Sequence, residues 1–144
     1  MATALANADT GALGTIAFGT SAFVAAYRVI GEVKQARPVL DKTSLEDAGA
    51  EKKMPGDNHT PGEIDIEFYW NATDPPPNLT AVPETITLTL PKSITGSAAA
   101  ATVIGTGFIS DRTRAPKLAR NEVNMGTAKV VFDGATGPAY TLEA

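Results

Sequence analysis

Apolar and polar positions alternate most cleanly between Glu63 and Trp70. Ile64, Ile66, Phe68 and Trp70 fall on one face of an extended chain, and Glu63, Asp65, Glu67 and Tyr69 on the other. The same period recurs from Thr85 to Leu90, with Ile86, Leu88 and Leu90 opposed by threonines and Pro91 as the stop. Thr127 to Asp133 places Ala128, Val130 and Phe132 together before an Asp133-Gly134 turn, and a last short strand falls near Tyr140–Leu142. Val103 to Ser110 reads as a strand around Gly105 and Gly107. Residues 14–20 predict a first strand with Ile16 and Phe18 on one face. Phe23 to Lys34 predicts a second, placing Phe23, Ala25, Tyr27, Val29, Gly31 and Val33 together. Gly31 in mid-strand points to a bulge or a close backbone approach.

Between the strands ending near Lys34 and starting at Glu63 lies a long polar excursion, residues 41–62, with turn signals at Met54-Pro55-Gly56 and Pro61-Gly62. Ser44 is placed to cap a single helical turn there. An excursion this long from a sheet is expected to serve contact. Pro75-Pro76-Pro77 enforces an extended connection, Ser97–Ala101 is too short to sustain a helix alone, and residues 1–10 are expected to be a mobile arm. The pattern predicts one all-β domain over residues 1–144, a β-sandwich of six to eight strands with a long charged loop and at most one short helix.

Composition narrows the class. The chain has 144 residues, 43% hydrophobic and 19% charged, with 13 Gly, 10 Pro and no cysteine, as a folded β-rich domain without disulfide or thiolate chemistry would. A net charge of −4 argues against a protein that binds nucleic acid by neutralising phosphates. The uncharged run from Thr10 to Tyr27 has no basic residue ahead of it and is broken by glycines. It is therefore read neither as a signal peptide nor as a membrane span, and no membrane partner is expected. Three Asn-X-Thr triplets, at Asn58, Asn71 and Asn78, read as chance matches in Asn/Thr-rich loops.

The carboxylates Glu63, Asp65 and Glu67 stand roughly 6–7 Å apart along one strand face, a spacing compatible with paired-carboxylate catalysis. Nothing nearby would split their proton affinities, so an acidic surface is the simpler reading. His59 is the only histidine and lies in a Gly/Pro/Asn loop. No serine has a histidine partner, and Gly134–Pro138 lacks the lysine and helix of a phosphate loop. No cofactor, no metal and no enzymatic activity are expected. Arg112, Arg114, Lys117 and Arg120 form a basic cluster without interleaved aromatics, which reads as a solvated loop or one that meets acids of another subunit before it reads as a nucleic-acid contact.

The order of parts resembles the tail tube (major tail) proteins of long-tailed bacteriophages. The resemblance rests on Val29-Ile30-Gly31-Glu32-Val33, then Asp41-Lys42-Thr43-Ser44-Leu45-Glu46-Asp47, then Lys53-Met54-Pro55-Gly56 leading into Ile64-Asp65-Ile66-Glu67-Phe68. Val103 to Ile109, Glu122-Val123 and Thr127 to Asp133 complete it, so that it spans roughly residues 25–135. It implies a virion tail protein made in the host cytoplasm, forming stacked homohexameric rings whose inner sheets join in a ring-wide barrel. DNA would pass through the lumen at genome ejection without specific binding, and other tail proteins would meet the tube ends.

Under that resemblance the inter-ring contact candidates are Asp41, Lys42, Glu46, Asp47, Glu51, Lys52, Lys53 and Met54. Glu63, Asp65 and Glu67 are the lumen-facing acidic candidates. Arg112, Arg114, Lys117 and Arg120 are the subunit-contact candidates. Six copies of a −4 chain carry about −24, which disfavours phosphate adhesion to a lumen. A helix that many members of the family carry after the central strand has no counterpart in the Pro-rich Asn71–Glu84. It is either lost or supplied in remnant by Ser93–Ala101. The tail tube subunit is the leading expectation. A terminator or adaptor ring of the same fold is its near alternative, and a β-sandwich adhesion or fibre module binding a host surface ligand comes next.

Overall fold

The computed structural model describes residues 14–20, 23, 25–46, 48–73, 76, 79, 82–92 and 99–143. Nine strands form in chain order: β1 Thr15–Phe18, β2 Tyr27–Ile30, β3 Val39–Asp41, β4 Lys53–Pro55, β5 Glu63–Tyr69, β6 Glu84–Thr89, β7 Thr102–Arg112, β8 Met125–Phe132 and β9 Ala139–Thr141. Every pairing is antiparallel. No helix occurs among the described residues, so the fold is all-β, as the alternation predicts. The arm at 1–10, Asp47 and residues 93–98 of the helix-remnant segment lie outside the described residues.

Seven strands make one sheet in the order β1-β6-β7-β8-β5-β2, with β9 paired to β7, while β3 and β4 form a separate two-stranded ribbon. The sheet curls until its two end strands face each other. The Tyr27 hydroxyl donates to the Ile16 carbonyl at 3.4 Å, and the rings of Phe18 and Phe23 lie 5.9 Å apart across the seam. The inward face becomes a sandwich-like core of Ile16, Phe18, Phe23, Ile64, Ile66, Phe68, Ile86, Ile109, Ala128, Val130 and Phe132. Phe68 sits at its centre, edge-on to Phe23 at 5.3 Å and to Tyr27 at 6.5 Å. Burying side chains of this size supplies about 1.5–3 kcal/mol each, so the alternation in β5, β6 and β8 is what holds the roll together.

Strand β8 and strand β9 both pair with β7, to its C-terminal and N-terminal halves respectively. They act as one strand interrupted by a loop at 133–138. Thr106 fastens that loop: its N–H donates to Thr136 O at 3.0 Å, its carbonyl accepts from Asp133 N at 3.0 Å, and its hydroxyl donates to Asp133 Oδ1 at 2.6 Å.

Two sequence expectations change in detail. The second strand is shorter than Phe23–Lys34, and its faces are not constant. The register against β5 shifts between Tyr27 and Val29, so Arg28 is an extra residue. Tyr27 packs on the core, but Val29 turns out, 48% exposed, and Ile30 and Val33 take the inward positions. Gly31 does make the close approach expected of it. Its N–H donates to Asp65 O at 2.7 Å, and a Cβ there would meet that oxygen at 2.8 Å. The excursion, in turn, is not plain loop. It begins with β3 and returns through β4, and its Ser44 turn is a local one in which Ser44 Oγ accepts from Glu46 N at 3.3 Å.

Candidate assembly surfaces

The ribbon projects from a root at Ala36 and Thr60, where Thr60 N donates to Ala36 O at 2.8 Å and Ala36 N donates to Thr60 Oγ1 at 3.1 Å. Arg37 braces it from within, its Nη1 donating to Gly56 O at 2.7 Å and Asp57 O at 3.0 Å, with Nη2 3.4 Å from His59 Nδ1. His59 is thus part of the ribbon's root and faces solvent. All six residues of β3 and β4 are exposed, on both faces of the ribbon. A two-stranded ribbon with nothing among the described residues packed on it is marginal in water.

The inter-ring candidates gather on this ribbon. Asp41 closes β3, and its carboxylate accepts from the N–H of Thr43 at 2.9 Å. That backbone bond, aided by the Thr43 hydroxyl, holds the Asp41 pKa below an ordinary aspartate's. Lys42 N donates to Lys52 O, Glu51 and Lys53 pair at 3.0 Å, and Met54 stands opposite Leu40. Glu46 lies in the tip. The exposed apolar residues Val39 and Leu40 of β3 escaped the sequence reading. Pro38 ahead of them masks any period, although two consecutive apolar residues in a polar stretch were a usable signal.

The outward face of the main sheet is divided. On the half formed by β2, β5 and β8, Glu63, Asp65 and Glu67 do share one exposed side, as their alternation predicts. They are not a bare acidic row. Lys129 Nζ lies 3.5 Å from Glu63, Arg28 Nη1 lies 3.2 Å from Glu67, and Asp65 and Asp111 flank Lys129 in register from β5 and β7. An open groove of about 540 Å³ lies over this mixed-charge surface, floored by Asp65, Glu67, Asp111, Thr127 and Lys129.

The other half, on β1, β6, β7 and β9, carries a rung of threonines in register across four strands, Thr15–Thr89–Thr102–Thr141. A second rung joins Thr85 to Thr106. Asp133 lies at the margin of this half. The Thr106 hydroxyl, and then the Ala135 N–H, depress its pKa.

The basic cluster is spread along one connection. Arg112 ends β7, while Arg114, Lys117 and Arg120 follow in the segment leading to β8, where Lys117 Nζ lies 3.4 Å from Glu122. No three His, Asp or Glu side chains among the described residues converge as a metal site would require.

The architecture is therefore a curled antiparallel roll with an outlying ribbon. No family model and no curated protein sequence matches the chain. Among solved structures, the chain is similar to one from the cryo-EM structure of an extracellular contractile injection system, the PVC sheath/tube terminator in the extended state. The identity is 14% and the TM-score 0.69, with 95% of this chain and 97% of that chain covered. At that identity the likeness is one of fold.

Proposed function

We propose that this protein is a structural subunit of a tail-like particle, forming a terminator ring that closes the end of the particle's tube. The observation that carries the reading is the correspondence with a sheath/tube terminator over 95% of this chain and 97% of the other. Physically, a ring that ends a tube must present the tube's own kind of surface to the last ring below and must not offer it again above. A single β-roll with one projecting ribbon suits that one-sided task. The ribbon's exposed Val39, Leu40 and Met54, with the charged Asp41, Lys42, Glu46, Glu51, Lys52 and Lys53, are its docking residues in this reading.

The subunits assemble as a homohexamer around a lumen that passes the particle's cargo. The Glu63, Asp65 and Glu67 face is the candidate lumen wall, and the 112–120 cluster the candidate contact with a neighbouring subunit. The reading assigns the protein no catalysis. A second reading, the tube subunit itself, is favoured by one feature, the exposure of both faces of the ribbon, which suits stacking ring upon ring.

Negative-stain microscopy of the concentrated protein separates the two. Terminator function predicts discrete rings of one layer that bind one end of preformed tubes. Long stacked tubes from this protein alone would establish the tube subunit instead, and a strictly monomeric protein would defeat both.

A further inference from the structure

Unpaired strand edges are where one β-protein can add a strand of another. The roll hides two of its edges, those of β1 and β2, by turning them towards each other at the seam. Those two edges pair with no strand but face each other, and among the described residues three more lie away from the seam: the far side of β9, which pairs only with β7, and the outer sides of β3 and β4, which pair only with each other.

The hydrogen-bond phase shows what each edge offers. Leu90 N donates to Ala101 O at 2.9 Å, so Ala101 and Val103 address β6, and Thr102 and Ile104 address β9. Thr141 and Ala139 are thereby held by β7, and the N–H and C=O of Tyr140 point to the open side, as do those of Leu142 by continuation. In the ribbon, Lys42 N donates to Lys52 O at 3.0 Å and Gly56 N to Pro38 O at 2.7 Å. Leu40 and Met54 therefore bond each other, and Val39 and Asp41 turn their N–H and C=O outward. On the outer edge of β4, Pro55 supplies no donor, which leaves β3 as the better-equipped edge.

We propose that the open edge of β9 takes β3 of a second copy of this chain as an added antiparallel strand. The proposal deepens the ring reading above and rests on it for the number of copies. Each strand is three residues long, and each lacks a partner on the side in question. In the register that uses every open group, Leu142 faces Val39 and Tyr140 faces Asp41. Val39 is 70% exposed, Tyr140 59% and Leu142 76%, apolar surface that the pairing would cover. Within one chain β9 and the ribbon make no contact. Because the two edges are different patches, the contact is heterologous, the kind that closes rings.

The chain contains no cysteine, so engineered thiols report this contact alone. Val39→Cys and Leu142→Cys variants, prepared separately, mixed at assembly concentration and oxidised, are expected to give at least tenfold more disulfide dimer than either variant alone. A Lys53→Cys and Leu142→Cys mixture should show no such excess, and excess dimer there would move the contact to β4 and overturn the proposal. Absence of dimer from the Val39/Leu142 mixture, or a disulfide formed only within single chains of the double variant, would also overturn it. Tyr140→Pro removes a donor that faces only the open edge, and Val39→Lys places a charge on the incoming strand. Each is expected to abolish association with melting unchanged, and wild-type association by both would refute the pairing. Cross-linking in open chains without rings would uphold the edge contact and sink the ring reading. Rings without cross-linking would do the reverse.

Discussion

Asp133 shows how much one exposed residue can organise. It lies where β8 breaks towards β9, and its carboxylate accepts from Thr106 Oγ1 at 2.6 Å and from Ala135 N at 2.9 Å. Both bonds favour the ionised form, so its folded pKa is lower than its unfolded one. A depressed pKa stabilises the fold above the unfolded value, and that stabilisation is lost as pH falls through the folded value. Asp41, tied to Thr43, behaves the same way. Melting temperature should therefore drop as pH falls below about 4. Asp133→Asn should flatten that part of the profile while leaving the neutral-pH fold intact. An unchanged acid limb in thermal melts of the variant would show that the loop contributes nothing there. Gly107 makes the complementary point about shape. A Cβ on it would lie 2.6 Å from Val131 O, a backbone atom that cannot swing away, so the β7–β8 ladder requires glycine at this position.

At the scale of elements, strand identity was legible wherever a face is buried. β5, β6 and β8 were readable because water on one side and core on the other impose a period of two, and Ile64, Ile86 and Val130 keep to it. Where no face is buried the pattern carries no such information. β3 and β4, three exposed residues each beside Pro38 and Pro55, have no period to read. The face of β2 was misread because a bulge at Arg28 breaks the count, although the adjacent apolar pair Val29-Ile30 marks a place where alternation cannot hold. The acidic row was read correctly as a face and incompletely as a site. Lys129 and Arg28 come from other strands, and only the register brings them beside it.

The ribbon's contacts stay within its own span and root, which makes it separable. Replacing residues 37–59 by Asn-Gly, a two-residue turn suited to joining Ala36 and Thr60, should change unfolding free energy by no more than about 1 kcal/mol. Association between copies should be lost, and ring-to-tube binding with it. Chemical denaturation and co-sedimentation with tubes measure the two halves, and an unfolded product would show that the ribbon is part of the core structure.

For the whole molecule, charge is partitioned more than it is accumulated. The net −4 is the balance of 16 acidic and 12 basic side chains shared among the sheet's mixed-charge half, the ribbon, the 112–120 connection and the rest of the chain. Glu63→Gln, Asp65→Asn and Glu67→Gln together should cost little stability, because exposed ion pairs are worth about 0–1 kcal/mol each. They would also remove three of the negative charges. If this face lines the lumen, rings of the triple variant should retain duplex DNA on a column at salt concentrations where wild-type rings release it. Equal elution would place the threonine half, or neither, at the channel.

The seam between β1 and β2 also has a consequence in time. β1 pairs with β6, so Thr15 finds its partner Thr89 only after more than half the chain has been made. A nascent chain halted before Glu84 holds an apolar strand, Ile16 and Phe18, with no ladder to join. The roll must close from its last-made strands back to its first. Topologies dominated by such distant pairings fold in the millisecond-to-second range. For that interval the emerging chain keeps both faces of its future seam open to the wrong neighbours.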